Sequence, residues 1–189
     1  MKTRRLNRGT TLVETLTAAF MTVLVLTGAV AVLLYGLSSW ARGEGRIMAE
    51  GDAESAVRIV SQELRQAMLV SVDPNGLGLS YQLPLVDANG NYVAPPVPDG
   101  VTRRIELDSS TLNIVTAGVA RPICGGVILT DPLSSGGTGT YRIFSSPGDA
   151  VNREVTVEVV TQRNAYNSMN VTSRDRETIY LRNVPVTTN

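Results

Sequence analysis

Glu14 makes the clearest chemical demand in this sequence. Lys2, Arg4, Arg5 and Arg8 precede Gly9. Beyond it, Glu14 is the only formal charge before Arg42, and Thr15 to Leu37 carries none. A charge in hydrocarbon costs on the order of 3 kcal/mol at mid-bilayer on insertion scales, so a carboxylate at the edge of such a run calls for a cation. A cut after Gly9 would make Thr10 a free α-amine about one helical turn from Glu14. That amine could answer the acid of its own chain or of a neighbouring copy.

The remaining reactive side chains offer little for catalysis, and the chain reads as neither an enzyme nor a cofactor binder. There is no histidine, which removes the usual imidazole base and the commonest metal ligand. Cys124 is the single cysteine, too few for a thiolate metal site or an internal disulfide. Beside Ile123 and Val127 it is expected to be a small buried apolar residue. Asp87-Ala88-Asn89-Gly90-Asn91 spaces oxygen donors like the start of a calcium loop. However, Tyr92 stands where that loop needs glycine and Pro98 where it needs glutamate, so Asn89-Gly90 reads as a hairpin turn. Ser134 to Thr140 is glycine-rich without the Gly-Lys-Ser/Thr ending of a phosphate loop, and reads as a flexible connection. The 17 basic and 17 acidic residues balance, but the four basic residues before Gly9 leave the remainder at a formal −4. Arg103-Arg104 is expected on a solvated strand, and no direct contact with nucleic acid is expected.

The elements that place Glu14 follow from hydropathy. Residues 10–40 form a helix whose uncharged stretch spans roughly 35 Å at 1.5 Å per residue, enough for a hydrocarbon core of about 30 Å. The basic flank puts the N-terminus on the cytoplasmic side. Residues 41–72 continue as an amphipathic half. Ala53, Val57, Val60, Leu64, Ala67 and Met68 step by fours and threes along one face, with Asp52, Glu54, Arg58, Glu63 and Arg65 off it. The helix is expected to persist to Val70 and stop at Asp73-Pro74-Asn75-Gly76. Its length of about 90 Å is more than a small domain can cover, so the front half must lie in lipid or among other subunits. Gly28, Gly36, Gly43, Gly45 and Gly51 mark places where it could bend or pack closely.

Residues 73–189 change to a period of two and form a β-rich head. Arg103 to Leu107 and Leu112 to Thr116 make a hairpin across Asp108-Ser109-Ser110-Thr111. Glu154 to Val159 and Ile179 to Arg182 are further strands, and Ala94-Pro95-Pro96-Val97-Pro98 is an extended linker between strands. One face of an antiparallel sheet is then apolar and needs a cover, which the stripe from Ala53 to Met68 supplies. The expected class is α+β, with the rear half of a long N-terminal helix laid on that sheet.

Arg5-Leu6-Asn7-Arg8-Gly9 followed by Thr10-Thr11-Leu12-Val13-Glu14 and a long apolar helix resembles the class III signal of type IV prepilins and pseudopilins. The resemblance is strong over the first 37 residues and reaches about residue 70. It implies that residues 1–9 are a leader, that prepilin peptidase cuts between Gly9 and Thr10 and methylates the Thr10 amine, and that Glu14 registers each incoming subunit. It also implies membrane lipid as the first surroundings of the helix, with other pilin or pseudopilin subunits and an inner-membrane assembly platform as partners. The chain would sit in the bacterial inner membrane before assembly and in a periplasmic or cell-surface filament, a pilus or type II secretion-like fibre, afterwards. Thr10 departs from the Phe or Met that usually opens the mature chain. The size of the head, the lack of a disulfide and the ending Ile179-Tyr180-Leu181-Arg182-Asn183 resemble minor subunits, J-type pseudopilins among them. A major pilin of the filament and a monomeric, signal-anchored surface binding protein are the alternative readings.

Overall fold

Helix α1 runs from Leu12 to Gln66 in the computed structural model, which describes residues 11–130, 140–147, 153–164 and 170–181. Its 55 residues measure about 80 Å at 1.5 Å per residue. Thr11 caps the start in an extended conformation. Burial begins only at Gly45 and follows Ala49, Ala53, Ala56, Val57, Val60, Ser61 and Leu64. The stripe expected from Ala53 to Leu64 is therefore the covered face.

Eight strands follow among the described residues. β1 (Leu69–Val72), β2 (Gly78–Gln82), β3 (Arg103–Asp108), β4 (Thr111–Thr116) and β5 (Val119–Cys124) form an antiparallel meander in chain order. β6 (Phe144–Ser145), β7 (Glu154–Asn164) and β8 (Asn170–Tyr180) form a second antiparallel sheet with β7 in the middle. The expected antiparallel sheet is thus present as two. Gly126 to Ile128 joins them: Val127 bridges Thr161, the Ile128 N–H donates to the Val160 carbonyl at 3.0 Å, and the Gln162 N–H to the Gly126 carbonyl at 2.7 Å. Gly126 has φ +74, and a Cβ there would stand 2.7 Å from the Gln162 carbonyl oxygen, so this seam requires glycine.

The rear half of α1 packs chiefly on β7 and β8, with a smaller contact to β5. Small residues come first, so that helix and sheet approach closely enough for the Thr161 hydroxyl to donate to the Ala49 carbonyl at 2.6 Å. Val57, Val60 and Leu64 follow and meet Val155, Val157, Val159 and Ile179 in one core. Leu79, Tyr81, Ile105, Leu112 and Ile114 of the meander join the same cluster, as does Cys124. Burying a Val or Leu side chain contributes about 1.5–3 kcal/mol, so this seam is a main anchor of the helix.

The helix ends at Gln66, short of the expected Val70. Ala67 is already extended, and the Met68 N–H donates to the Gln82 carbonyl at 2.9 Å. Ala67 and Met68 are buried as expected, but in a strand entry rather than a helical turn. Pairing of Leu69–Val72 with β2 outweighs helix propensity here. Asp73-Pro74-Asn75-Gly76 is a turn as expected, yet it joins β1 to β2 rather than stopping the helix: the Gly76 N–H donates to the Asp73 carbonyl at 2.8 Å and the Leu77 N–H to Asn75 Oδ1 at 3.0 Å. Arg103-Arg104 lies on β3 but is held by acids. Arg103 pairs with Asp99 at 2.8 Å, and Arg104 with Asp73 and with Glu106 at 2.5 Å.

Candidate functional site

The front half of α1 is the unusual surface of this chain. Leu12 to Leu37 is exposed residue by residue, and within it lies a stretch long and apolar enough to cross a membrane, none of it covered by the head. Its few polar groups are turned inward on the helix itself. The hydroxyls of Thr15, Thr17, Thr22 and Thr27 donate to the carbonyls of Leu12, Glu14, Ala18 and Val23 at 2.8–3.0 Å. Threonine satisfied in this way can face lipid without an open donor. Tyr35 and Trp40 are exposed and precede Arg42, whose Nε donates to the Ser38 carbonyl at 3.2 Å. Aromatics followed by a cation are the residues that settle at a membrane–water boundary.

Glu14 sits in the first turn. Its N–H is held by the Thr11 carbonyl at 3.0 Å and by Thr11 Oγ1 at 3.3 Å. The carboxylate is exposed, beside the positive end of the helix dipole. Thr11-Leu12-Val13-Glu14 therefore has the spacing of a capping box, with the Thr11 half of the reciprocal pair formed. This role was readable as Thr-x-x-Glu ahead of an apolar run, although the demand for a cation drew the reading elsewhere. Gly9 and Thr10, the expected cleavage and methylation positions, lie outside the described residues.

The rear half of α1 carries a polar clamp along the edges of its apolar seam. Asp52 accepts from Arg163 of β7 at 2.7 Å, Arg65 pairs with Glu177 of β8 at 2.8 Å, and Glu177 also takes the Ser61 hydroxyl. Tyr81 donates to Glu63 at 3.2 Å, and burial followed by that neighbouring acid raises its pKa above the ordinary phenol value. On the far face of β7, the buried Glu158 pairs with Arg174 at 2.6 Å. A shallow groove of about 270 Å³ runs between Arg58, Arg65 and Glu177, but its Glu177 is already bound in the clamp. Burial pushes the Cys124 thiol up to about 11, with the charge of Asp52 adding to the rise, which keeps it protonated at neutral pH. The loop at Asp87 uses its carboxylate internally, accepting the N–H groups of Asn89 and Asn91 at 2.9 Å. Gly90 has φ +83 in the turn expected there. Among the described residues no group of three His, Cys, Asp or Glu side chains is placed to hold a metal. Most of the glycine-rich Ser134 to Thr140 segment lies outside the described residues.

The arrangement is an apolar rod with one acid near its tip, continuous with the helix that packs on the head. No family model, curated protein or solved structure matches the chain.

Proposed function

We propose that the chain is a structural subunit of the type IV pilin and pseudopilin kind, a minor subunit of a pilus or type II secretion-like filament. It is made as a prepilin, cut between Gly9 and Thr10 by prepilin peptidase, methylated at Thr10, and held by residues 10–40 in the inner membrane until an assembly platform moves it into the filament. The observation that supports this most is the division of α1: one continuous helix is bedded on a β head behind Gly45 and bare, apolar and acid-tipped in front of it. Lipid covers that front half before assembly, and the helices of other pilin or pseudopilin subunits cover it afterwards.

Lys2 is the only lysine in the sequence, which makes the processing step easy to read. A chain cut after Gly9 and methylated at Thr10 offers no primary amine, whereas an uncut chain offers Lys2 as well as its terminus. Mass spectrometry of the purified amino terminus is expected to show methylated Thr10. Labelling with a primary-amine reagent is expected to fail. An intact Met1, or strong labelling at Lys2, would sink the proposal.

The capping geometry at Thr11 favours a second reading, in which Glu14 serves only its own helix and the chain is a monomeric anchored binding protein. Glu14→Gln separates the two, because glutamine serves a capping box as glutamate does but cannot pair with an amine. The filament reading expects Glu14→Gln to be incorporated as poorly as Glu14→Ala. The monomeric reading expects Glu14→Gln to behave as wild type.

A further inference from the structure

Just below the head, the face of α1 that packs on the sheets changes from small residues to arginine. Arg42 stands three residues before Gly45 and about five whole turns before Val60, so it continues the covered stripe past the point where cover ends. Arg46 lies one turn further on, at the edge of the same stripe, and both are exposed. The Arg42 Nε donates to the Ser38 carbonyl at 3.2 Å, which directs the guanidinium toward the bare front half; among the described residues its two Nη groups have no partner. Side chains on a helix lean toward its N-terminus in any case. Glu44 falls on the opposite side of the helix. Glu50 follows Arg46 by four residues, the weaker order for such a pair, and no ion pair forms between them, whereas Arg65 and Arg163 of the clamp each hold an acid. Arg42 is five residues past Leu37, where the exposed apolar run ends, or about 7.5 Å along the axis. The headgroup layer on each side of the hydrocarbon core is about 5–7 Å thick.

We propose that Arg42, with Arg46 behind it, binds the phosphate of an anionic phospholipid beneath the head while residues 10–40 lie in the membrane. This rests on the membrane placement proposed above and not on cleavage or assembly. A guanidinium with both Nη groups open suits a phosphate, which it can hold through two parallel hydrogen bonds. The bilayer delivers phosphates at the depth of Arg42, and each cation near an anionic lipid surface is favoured about fivefold. A free anion in water would find two exposed arginines with no wall around them. Tyr35 lies seven residues before Arg42 on the same face and Trp40 on the opposite one, so aromatic rings flank the boundary on both sides of the helix. Because the arginines stand on the head's own side of the stem, the contact also sets the direction in which the helix tilts.

Trp40 is the only tryptophan in the sequence, which gives the test a reporter on each face. The full chain is placed in bilayer discs of equal parts phosphatidylcholine and phosphatidylglycerol, with bromine on the acyl chains of one lipid or the other. Loss of tryptophan fluorescence then reads which lipid lies beside the ring. In the variant carrying Trp40→Phe and Tyr35→Trp, the reporter sits on the face of Arg42, and a preference for phosphatidylglycerol of about fivefold is expected. Trp40 of the parent, on the opposite face, is expected to show little preference. Adding Arg42→Gln to the first variant is expected to remove most of its preference and Arg42→Lys to keep it, with the urea midpoint of the head unchanged in both. Equal preference on the two faces, or a preference indifferent to Arg42→Gln, overturns the lipid site and leaves the membrane placement standing. Inorganic phosphate that abolishes the preference, where chloride at the same ionic strength does not, assigns the arginines to free anions and overturns it too. A chain whose reporters are quenched by neither lipid overturns the membrane placement and the site with it.

Discussion

The two halves of α1 share one backbone and differ in what touches them. From Gly45 to Gln66 the helix carries small residues where it crosses β7, larger ones behind, and charges that reach across to Arg163 and Glu177. From Leu12 to Leu37 it carries side chains as apolar as any in the core, and they are exposed. Phe20 is 64% exposed, whereas Leu64 is fully buried. Helix propensity cannot explain the contrast, since both halves are rich in good helix formers. Tertiary cover distinguishes them. A folded head stabilises the rod by holding its rear, which leaves the front half uncovered.

The comparison breaks most sharply at Leu64 and Leu24. Leu64→Ala removes a fully buried side chain at the seam and is expected to cost about 2–5 kcal/mol of head stability. The shift in urea midpoint of the full chain in detergent reads this directly. Leu24→Ala on the bare half is expected to stay within about 0.5 kcal/mol in the same measurement. Leu24→Arg leaves the midpoint of the head alone but adds on the order of 3 kcal/mol to membrane insertion. Alkaline extraction of membranes is then expected to release the variant and retain the parent. If Leu24→Ala lowered the midpoint as much as Leu64→Ala, the division of the helix would be wrong.

Cys124 sharpens the covered side by pH. Burial holds its thiol at about 11, against an ordinary value of 9.0. An acid raised in the folded state stays protonated while the unfolded chain ionises first. Stability is therefore complete below the ordinary value and declines between roughly pH 9 and 11, by up to about 2 kcal/mol. Urea midpoints measured across that window are expected to fall in the parent and to fall less in Cys124→Ala. Equal slopes in the two would mean that the thiol is not desolvated as the packing shows.

Legibility followed the distance between partners. The stripe from Ala53 to Leu64, the β3–β4 hairpin and the turn at Asn89-Gly90 could be read because their signals are local. The helix end could not, because Ala67 and Met68 continue the apolar stripe and only pairing of β1 with β2 pulls them out of it. Asp73-Pro74-Asn75-Gly76 was recognised as a breaker but assigned to the wrong element for the same reason. Arg174-Asp175-Arg176-Glu177 resembles a charged loop in isolation. In β8 its alternate residues face Glu158 on one side and Arg65 on the other, partners found far away in sequence. β7 outran the expected Glu154 to Val159 because Val159, Val160 and Thr161 are buried on both faces, which erases the period of two. Of the candidate site, Glu14 and its apolar run were plain, while the part Thr11 plays as a cap was written in the spacing and outweighed by the charge.

The smallest expected effect carries the comparison furthest, because it separates the stability of one chain from its fit against another. Gly51 lies on the exposed face of α1, directly opposite the covered seam, with nothing within 4 Å of a Cβ placed there. Replacing it by alanine removes the entropic penalty of glycine inside a helix, worth about 0.5–1 kcal/mol. For a solitary chain Gly51→Ala is therefore expected to raise the urea midpoint slightly and to change nothing else. Gly51→Leu is also tolerated by one chain, since the space is open, but it fills the surface on which a second helix would lie. If copies pack along this face, filament yield should fall in Gly51→Leu while the urea midpoint holds or rises. A yield unchanged by leucine at this position would mean that no other subunit packs against α1 at Gly51, and contact between subunits would then lie elsewhere on the helix.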